Sequence, residues 1–368
     1  MAIAALCFLY GCLLHIKIYS LPLPEKKDTM KELTKDDTNI LKGISLLLLL
    51  FHHLFYEANG LYSDITIGDT GIVCEVGKVF KVCVALFVFL SGYGLVKSCR
   101  NREISTLGFY KKRLARLFPT YWLIWLLFVP AGIIFFGRSL ESVYANNIVP
   151  KLIADIMGLA YAFEFYGYNA TWWFMSCIIV LYLLFPFIYK VLGNKIAITA
   201  IMAGSIAISY FDIHGLYPIR HYLMTFVAGM IFARYNILQR CKVDTPLKKC
   251  ALIIALAACF YIRSRLFLYA MNFDTLLCLF IIAAYACFGI KWQWCRKALD
   301  FTGRHSMNIF LFHTFIYLYY LQELIYSPRN PLIIFITLLA ASLAISVIIE
   351  KIKEIIRIEK FEKLISGK

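Results

Sequence analysis

Lys42 and His53 stand eleven residues apart, in Leu41-Lys42-Gly43-Ile44-Ser45 and the apolar run that ends at His52-His53. On a helix eleven residues make about three turns, so the two side chains share a face across a rise of roughly 16 Å. A cation at one end and an imidazole at the other would join an anion site to an acid–base group. Imidazole changes protonation near neutral pH, which suits a general base or a transient carrier of a transferred group. His52 points about 100° away and is not expected in that site. Glu57 follows His53 by four residues, so on one helix it could accept the imidazole N–H and fix its tautomer. It equally suits a helix end at a membrane interface.

His313 follows Arg304 by nine residues, roughly 13 Å along a helix. Two histidines then approach a similar depth from the same side. Either alone is as readily a packed core residue; the pair at matched depth favours chemistry. Ser306 and Asn308, on the same stretch, are candidates to orient an acceptor or stabilise an oxyanion. Arg113 and Arg116 lie three apart ahead of Pro119, which is expected at a helix start. That spacing suits phosphate groups, although a plain basic loop beside a membrane has the same look.

The elements that must position these residues are apolar. The chain has 368 residues, 61% of them hydrophobic and only 16% charged, with a mean hydropathy of +0.73. Soluble domains are about half apolar and a quarter charged, so this chain needs lipid as part of its solvent. The expected fold is all-α, a polytopic transmembrane bundle with core spans at 40–56, 79–97, 119–137, 172–191, 196–211, 221–235, 248–262, 273–290, 304–323 and 331–349. Residues 1–19 form a further apolar run, read as an extra span rather than a cleaved signal because no basic segment precedes it. The segments between spans alternate in charge. Those expected on one side hold 29 Lys and Arg and those on the other hold 7, which makes the basic side cytoplasmic. The chain divides into an N-terminal apolar segment and basic linker (1–39), a transmembrane domain (40–349) and an amphipathic tail (350–368) expected on the cytoplasmic membrane surface.

The net charge of +16 does not indicate nucleic acid, because the basic residues lie between apolar runs and form no basic domain. Among the twelve cysteines no CxxC spacing occurs, so neither a zinc site nor a redox dithiol is supported, and no metal is expected. The spans hold almost no central carboxylate, unlike many proton-coupled transporters.

In chain order, four segments resemble motifs of acyltransferase family 3, the integral membrane acyltransferases. Lys42-x10-His53 resembles its basic-residue-x10-His signature, with Lys for the commoner Arg. Phe87-Val88-Phe89-Leu90-Ser91-Gly92-Tyr93 resembles its Phe-rich Leu-Ser-Gly-Phe segment. Lys112-Arg113-Leu114-Ala115-Arg116-Leu117-Phe118-Pro119-Thr120-Tyr121-Trp122 resembles its Arg-x-x-Arg, Pro, Tyr-Trp segment. Ser306 to His313 resembles its late Ser…Tyr-Leu-x-His segment. Trp173-Phe174-Met175-Ser176-Cys177-Ile178 aligns with a segment where many members carry Glu at the position of Ile178, so no role of that Glu transfers.

The resemblance, spanning about 40–349, implies transfer of an acyl group, usually acetyl, from cytoplasmic acyl-CoA to a hydroxyl of an extracytoplasmic or lipid-linked glycan, in a bacterial cytoplasmic membrane. No bound cofactor is implied; acyl-CoA is a substrate. The implied catalytic set is His53, Glu57, His313 and Ser306. Acyl-CoA contacts fall to Lys42, Arg113, Arg116, Tyr121 and Trp122, and acceptor contacts to Asn308, Trp173 and Ser176. The alternative is a transporter or flippase of glycans or lipid-linked sugars. No His-x4-Asp occurs, which removes the soluble-type glycerolipid acyltransferase signature.

Overall fold

The computed structural model describes residues 30–57, 59–100, 105–211, 213, 216–241, 243–266 and 271–366. The expected span at 1–19 lies outside them. The described chain is helical apart from one antiparallel pair of two-residue strands, Thr66–Ile67 and Thr70–Gly71.

The first helix, α1 (Lys35–Phe55), opens on a reciprocal cap. The Thr34 hydroxyl accepts from the Asp37 amide at 3.1 Å, and the Asp37 carboxylate accepts from the Thr34 amide at 3.0 Å, which satisfies two donors the helix end would leave bare. Behind it come α2 (Ile72–Val79), α3 (Val82–Cys99) and α4 (Thr106–Phe135). A long connection containing α5 (Ile148–Ile156) leads to α6 (Trp173–Val191), α7 (Lys195–Ile208) and α8 (Leu223–Tyr235). The chain continues through α9 (Pro246–Arg265), α10 (Met271–Phe288), α11 (Gln293–Arg304) and α12 (Ser306–Thr314). After a π-helical turn, Phe315–Tyr320, it ends in α13 (Pro331–Ile355) and α14 (Ile358–Ser366).

Every expected span window coincides with helix, but fewer stretches meet the length and apolarity of a crossing. Among the described residues five do: Lys35–Phe55, Ile72–Cys99, Thr106–Phe135, Ala170–Val191 and Pro331–Ile355. Shorter apolar helices cover Lys195–Ile208, Leu223–Tyr235 and Asn272–Phe288. The remaining windows fall short for visible reasons. Helix α9 carries Lys248, Lys249, Arg263 and Arg265. The 304–323 window is broken by the change of pitch at Phe315.

Pro119 corrects the expected helix start. Helix α4 already begins at Thr106, capped by Ser105, and Pro119 and Pro130 lie inside it. Proline interrupts the hydrogen-bond ladder locally, and the helix runs on. The basic segment is therefore the first half of a long rod.

Glycines set the tightest crossings. A side chain at Gly92 would strike the Phe226 carbonyl, and one at Gly229 the Phe89 carbonyl, so α3 and α8 touch backbone to backbone. Gly43 and Gly303 do the same for α1 and α11, against the carbonyls of Leu299 and Asn39. Lipid offers helices little hydrophobic drive to associate, so such close approach is how spans gain packing energy. Between α9 and α10, fully buried Arg263 and Asp274 form an ion pair at 2.5 Å.

In the tail the chain turns at Arg357, with φ of 56°. Helix α14 then lies along α4. Ile358 is buried, while Phe361 and Leu364 stay exposed, which leaves an apolar edge on the tail.

Candidate active site

One stripe of α1 serves two cavities. Lys35 and Lys42 line a cavity of about 440 Å³, with Arg113, Arg116, Ser98 and Ser306 across from them. Leu49 and His53, further along the same stripe, line a second cavity of about 450 Å³. The first is basic; the second is aromatic and rich in histidine. The Lys42–His53 spacing read from the sequence is the link between them, and helical periodicity is its cause.

The basic cavity is built by three elements. Helix α4 presents Arg113 and Arg116 one turn apart. Arg113 donates to the Ser98 hydroxyl at 2.8 Å and lies over the Phe109 ring. Those contacts fix the guanidinium, while its Nε is buried without a hydrogen-bond partner. A fixed planar guanidinium lining the cavity is suited to a phosphate oxygen. Ser306, expected beside the histidines, lines this cavity instead, its hydroxyl donating to the Gly303 carbonyl at 2.7 Å. It begins α12 whereas His313 lies two turns on, and that distance separates them.

At the second cavity His53 and His313 face each other with ring centroids 5.1 Å apart, and Tyr317 stacks on His313 at 6.0 Å. His313 is fully buried. Its Nδ1 lies 2.9 Å from the Ile309 carbonyl and 3.1 Å from that of Phe310. Carbonyls only accept, so Nδ1 carries the proton and, in the neutral ring, Nε2 holds the lone pair. That Nε2 is buried with no partner. His52, expected outside the site, lines this cavity as well, with its ring 5.1 Å from that of His53, and donates from Nδ1 to the Gly77 carbonyl at 2.8 Å.

Glu57 does not take the orienting place foreseen for it. Helix α1 stops at Phe55, with Tyr56 as its cap, so the four-residue register no longer puts Glu57 on the His53 face. It lines the second cavity independently. The rings beside His53 are those of His313 and His52, each 5.1 Å away, and of Tyr317 at 6.2 Å.

Four other expected contacts lie elsewhere. Tyr121 is fully buried, donating to the Asp155 carbonyl at 2.6 Å, and Trp122 donates from Nε1 to the Ile156 carbonyl at 2.9 Å. Both fasten α4 to α5 and line neither cavity, because they stand two turns beyond the arginines. Asn308 also lines neither. It donates to Ser346 at 3.0 Å and Glu350 at 2.7 Å and accepts from Lys353 at 2.8 Å, clasping α12 to α13. Ser176 is buried, donating to the Gly158 carbonyl at 2.8 Å and accepting from the Tyr161 amide at 3.2 Å. It holds the loop that carries Tyr161. Trp173 does line the second cavity, stacked on Tyr222 with centroids 5.6 Å apart.

Reading the sequence missed most of that cavity's wall. Lys81, Tyr161, Tyr166, Tyr217, Arg220 and His221 all face it. They come from three connections far apart in sequence, and no local spacing marks them. Tyr161, Tyr166 and Tyr217 pack ring to ring, with centroids 5.5 Å and 5.0 Å apart. Thr171 hydrogen-bonds Thr314 at 3.0 Å, and Asn169 and Trp172 both donate to the Leu311 carbonyl. The long connection is thus tied to α12 beside His313, next to a π-turn, a feature frequent at functional sites.

The family model described as an acyltransferase domain (Acyl_transf_3) matches residues 36–351. The chain therefore belongs to acyltransferase family 3, and it is a membrane acyltransferase by family. No curated protein and no solved structure gives a match.

Proposed function

We propose that the protein transfers an acyl group, acetyl by preference, from cytoplasmic acyl-CoA to a hydroxyl of an extracytoplasmic or lipid-linked glycan, as a multi-pass protein of the cytoplasmic membrane with ten core spans and its C-terminus inside. The observation that carries this reading is the α1 stripe, which joins a phosphate-suited cavity at Lys42 to a histidine pair at His53. The charge asymmetry of the connections supports a cytoplasmic position for the basic cavity. CoA is the natural occupant there: its phosphates meet Arg113, Arg116, Lys42 and Lys35, and its thin pantetheine arm runs toward His53.

The second cavity takes the acceptor. Aromatic rings such as Trp173, Tyr161 and Tyr217 suit the apolar faces of sugar rings, with Lys81, Arg220 and Glu57 for polar groups. His53, which lines the cavity, removes the proton from the acceptor hydroxyl. The oxygen attacks the thioester carbonyl, the C–S bond breaks, and the imidazolium returns its proton to the leaving thiolate, giving ester and free CoA. His313, which lines neither cavity, is a positioning residue: its ring lies 5.1 Å from that of His53, and its Nε2 lone pair, unpartnered in this structure, is available to favour the charge that forms on His53.

The test is acyl-CoA turnover by purified protein in lipid, wild type against His53→Ala, with and without a crude cell-wall glycan extract. Acceptor-stimulated CoA release that disappears in the variant is the expected result. Absence of turnover in both, with no acyl-CoA bound, would replace this reading with glycan transport.

A further inference from the structure

Among the described residues one alone, Phe310, lines both cavities. Its ring is braced by Phe174, with centroids 4.7 Å apart, and by Phe87, edge-on at 6.0 Å. Phe87 and Phe174 line only the basic cavity. A core phenylalanine is enclosed by protein on all sides; this one has open space before and behind it.

The backbone beneath the ring is held. The Phe310 carbonyl is one of the two groups that take the His313 proton, and the next carbonyl, Leu311, accepts from Asn169 at 3.2 Å and Trp172 at 2.8 Å. Opening by a backbone shift would break these bonds. Opening by rotation of the ring breaks none of them. The Phe310 ring also lies 6.2 Å from the His313 ring, and what passes it enters the cavity that His53 lines.

We infer that Phe310, braced by Phe87 and Phe174, is the barrier between the two cavities, and that its ring sets the length of acyl chain that reaches His53. The role in chain length rests on the acyl transfer proposed above; the barrier itself does not. A two-carbon acyl group needs little displacement of the ring. Each further methylene must occupy the space that the phenyl fills, and a close-packed wall resists added volume.

Two measurements test this. Thr314 lines only the second cavity. In inside-out membrane vesicles, Thr314→Cys is exposed to a small membrane-impermeant thiosulfonate, and modification of residue 314 is read by peptide mass spectrometry with and without Phe310→Ala. Labelling at least about tenfold faster with the ring removed is expected, the scale of one excluded methylene or more. In proteoliposomes, Phe310→Ala and Phe310→Leu should raise turnover of butyryl-CoA relative to acetyl-CoA by about tenfold, and Phe310→Trp should lower it. An unchanged labelling rate overturns the barrier. Faster labelling with an unchanged chain preference overturns the length selection. Turnover of no acyl-CoA by the wild type defeats the acyltransfer reading and leaves the labelling result to decide the barrier.

Discussion

His313 stands behind His53. Their rings are 5.1 Å apart, but of the two only His53 lines either of the cavities described, and the proton of His313 Nδ1 is committed to two backbone carbonyls. The two histidines are therefore unequal. One can meet a substrate; the other can only act through its neighbour.

That inequality gives different losses. His53→Ala should lower kcat by about 10⁴-fold, the upper end for a proton-transfer group. His313→Gln retains a side-chain acceptor and should cost about 10²-fold in kcat with the KM for acyl-CoA unchanged. Steady-state kinetics on the two variants, at matched abundance in lipid, check this. Equal losses would make the pair a single unit.

The arginines should behave otherwise. Arg113→Ala and Arg116→Ala should raise the KM for acyl-CoA about tenfold each, with kcat little changed, since each removes a charge-assisted contact worth about 1.5–3 kcal/mol before solvent replaces part of it. Added salt should weaken donor binding in the wild type and have less effect in the variants. A short acyl-pantetheine donor without phosphates should show no difference between wild type and Arg113→Ala.

The helical fold and the two ends of the site were legible because both depend on periodicity within one helix. Eleven residues from Lys42 to His53 carry the same meaning in sequence and in space. Glu57 failed because the same argument was extended past Phe55, where α1 ends. Tyr121, Trp122, Ser176 and Asn308 sit beside motif residues in sequence, yet each makes its hydrogen bonds within the scaffold. Motif adjacency says nothing about which face of a helix a side chain takes. Tyr161, Tyr217 and Arg220 were illegible for another reason: the long connection and the segment before α8 meet only through tertiary packing. Phe310 looked like one apolar residue among many, and its two open sides exist only in three dimensions.

Tyr121 separates scaffold from site directly. Its hydroxyl bonds the Asp155 carbonyl inside the protein, and that carbonyl also accepts from the Gly158 amide at 2.8 Å, so Tyr121→Phe removes one of its donors at a cost of about 0.5–1.5 kcal/mol. The thermal midpoint in detergent should fall while the KM for acyl-CoA stays at the wild-type value. A raised KM with an unchanged midpoint would return Tyr121 to the donor site.

Asp155 makes the same connection sensitive to pH. It lies in the long connection, outside the spanning helices, and is fully buried. Its Oδ2 accepts from the Tyr144 hydroxyl at 2.5 Å and the Tyr168 amide at 2.7 Å, while Oδ1 has no hydrogen-bond partner. Burial pushes the carboxyl up from the ordinary 3.8 to about 6, against the pull of those hydrogen bonds. A carboxyl whose folded value is raised favours the folded state in its protonated form. This contribution is complete below the unfolded value of 3.8 and is lost as pH rises through about 6. The melting temperature in detergent should therefore fall between pH 4.5 and pH 7 by an amount traceable to this residue. Asp155→Asn keeps an oxygen for Tyr144 and Tyr168 and cannot ionise, so its melting curve should be flatter over the same interval and its advantage over the wild type largest at the alkaline end. Parallel curves for the two proteins would mean that the carboxyl is already ionised throughout, with its charge accommodated by the two tyrosines.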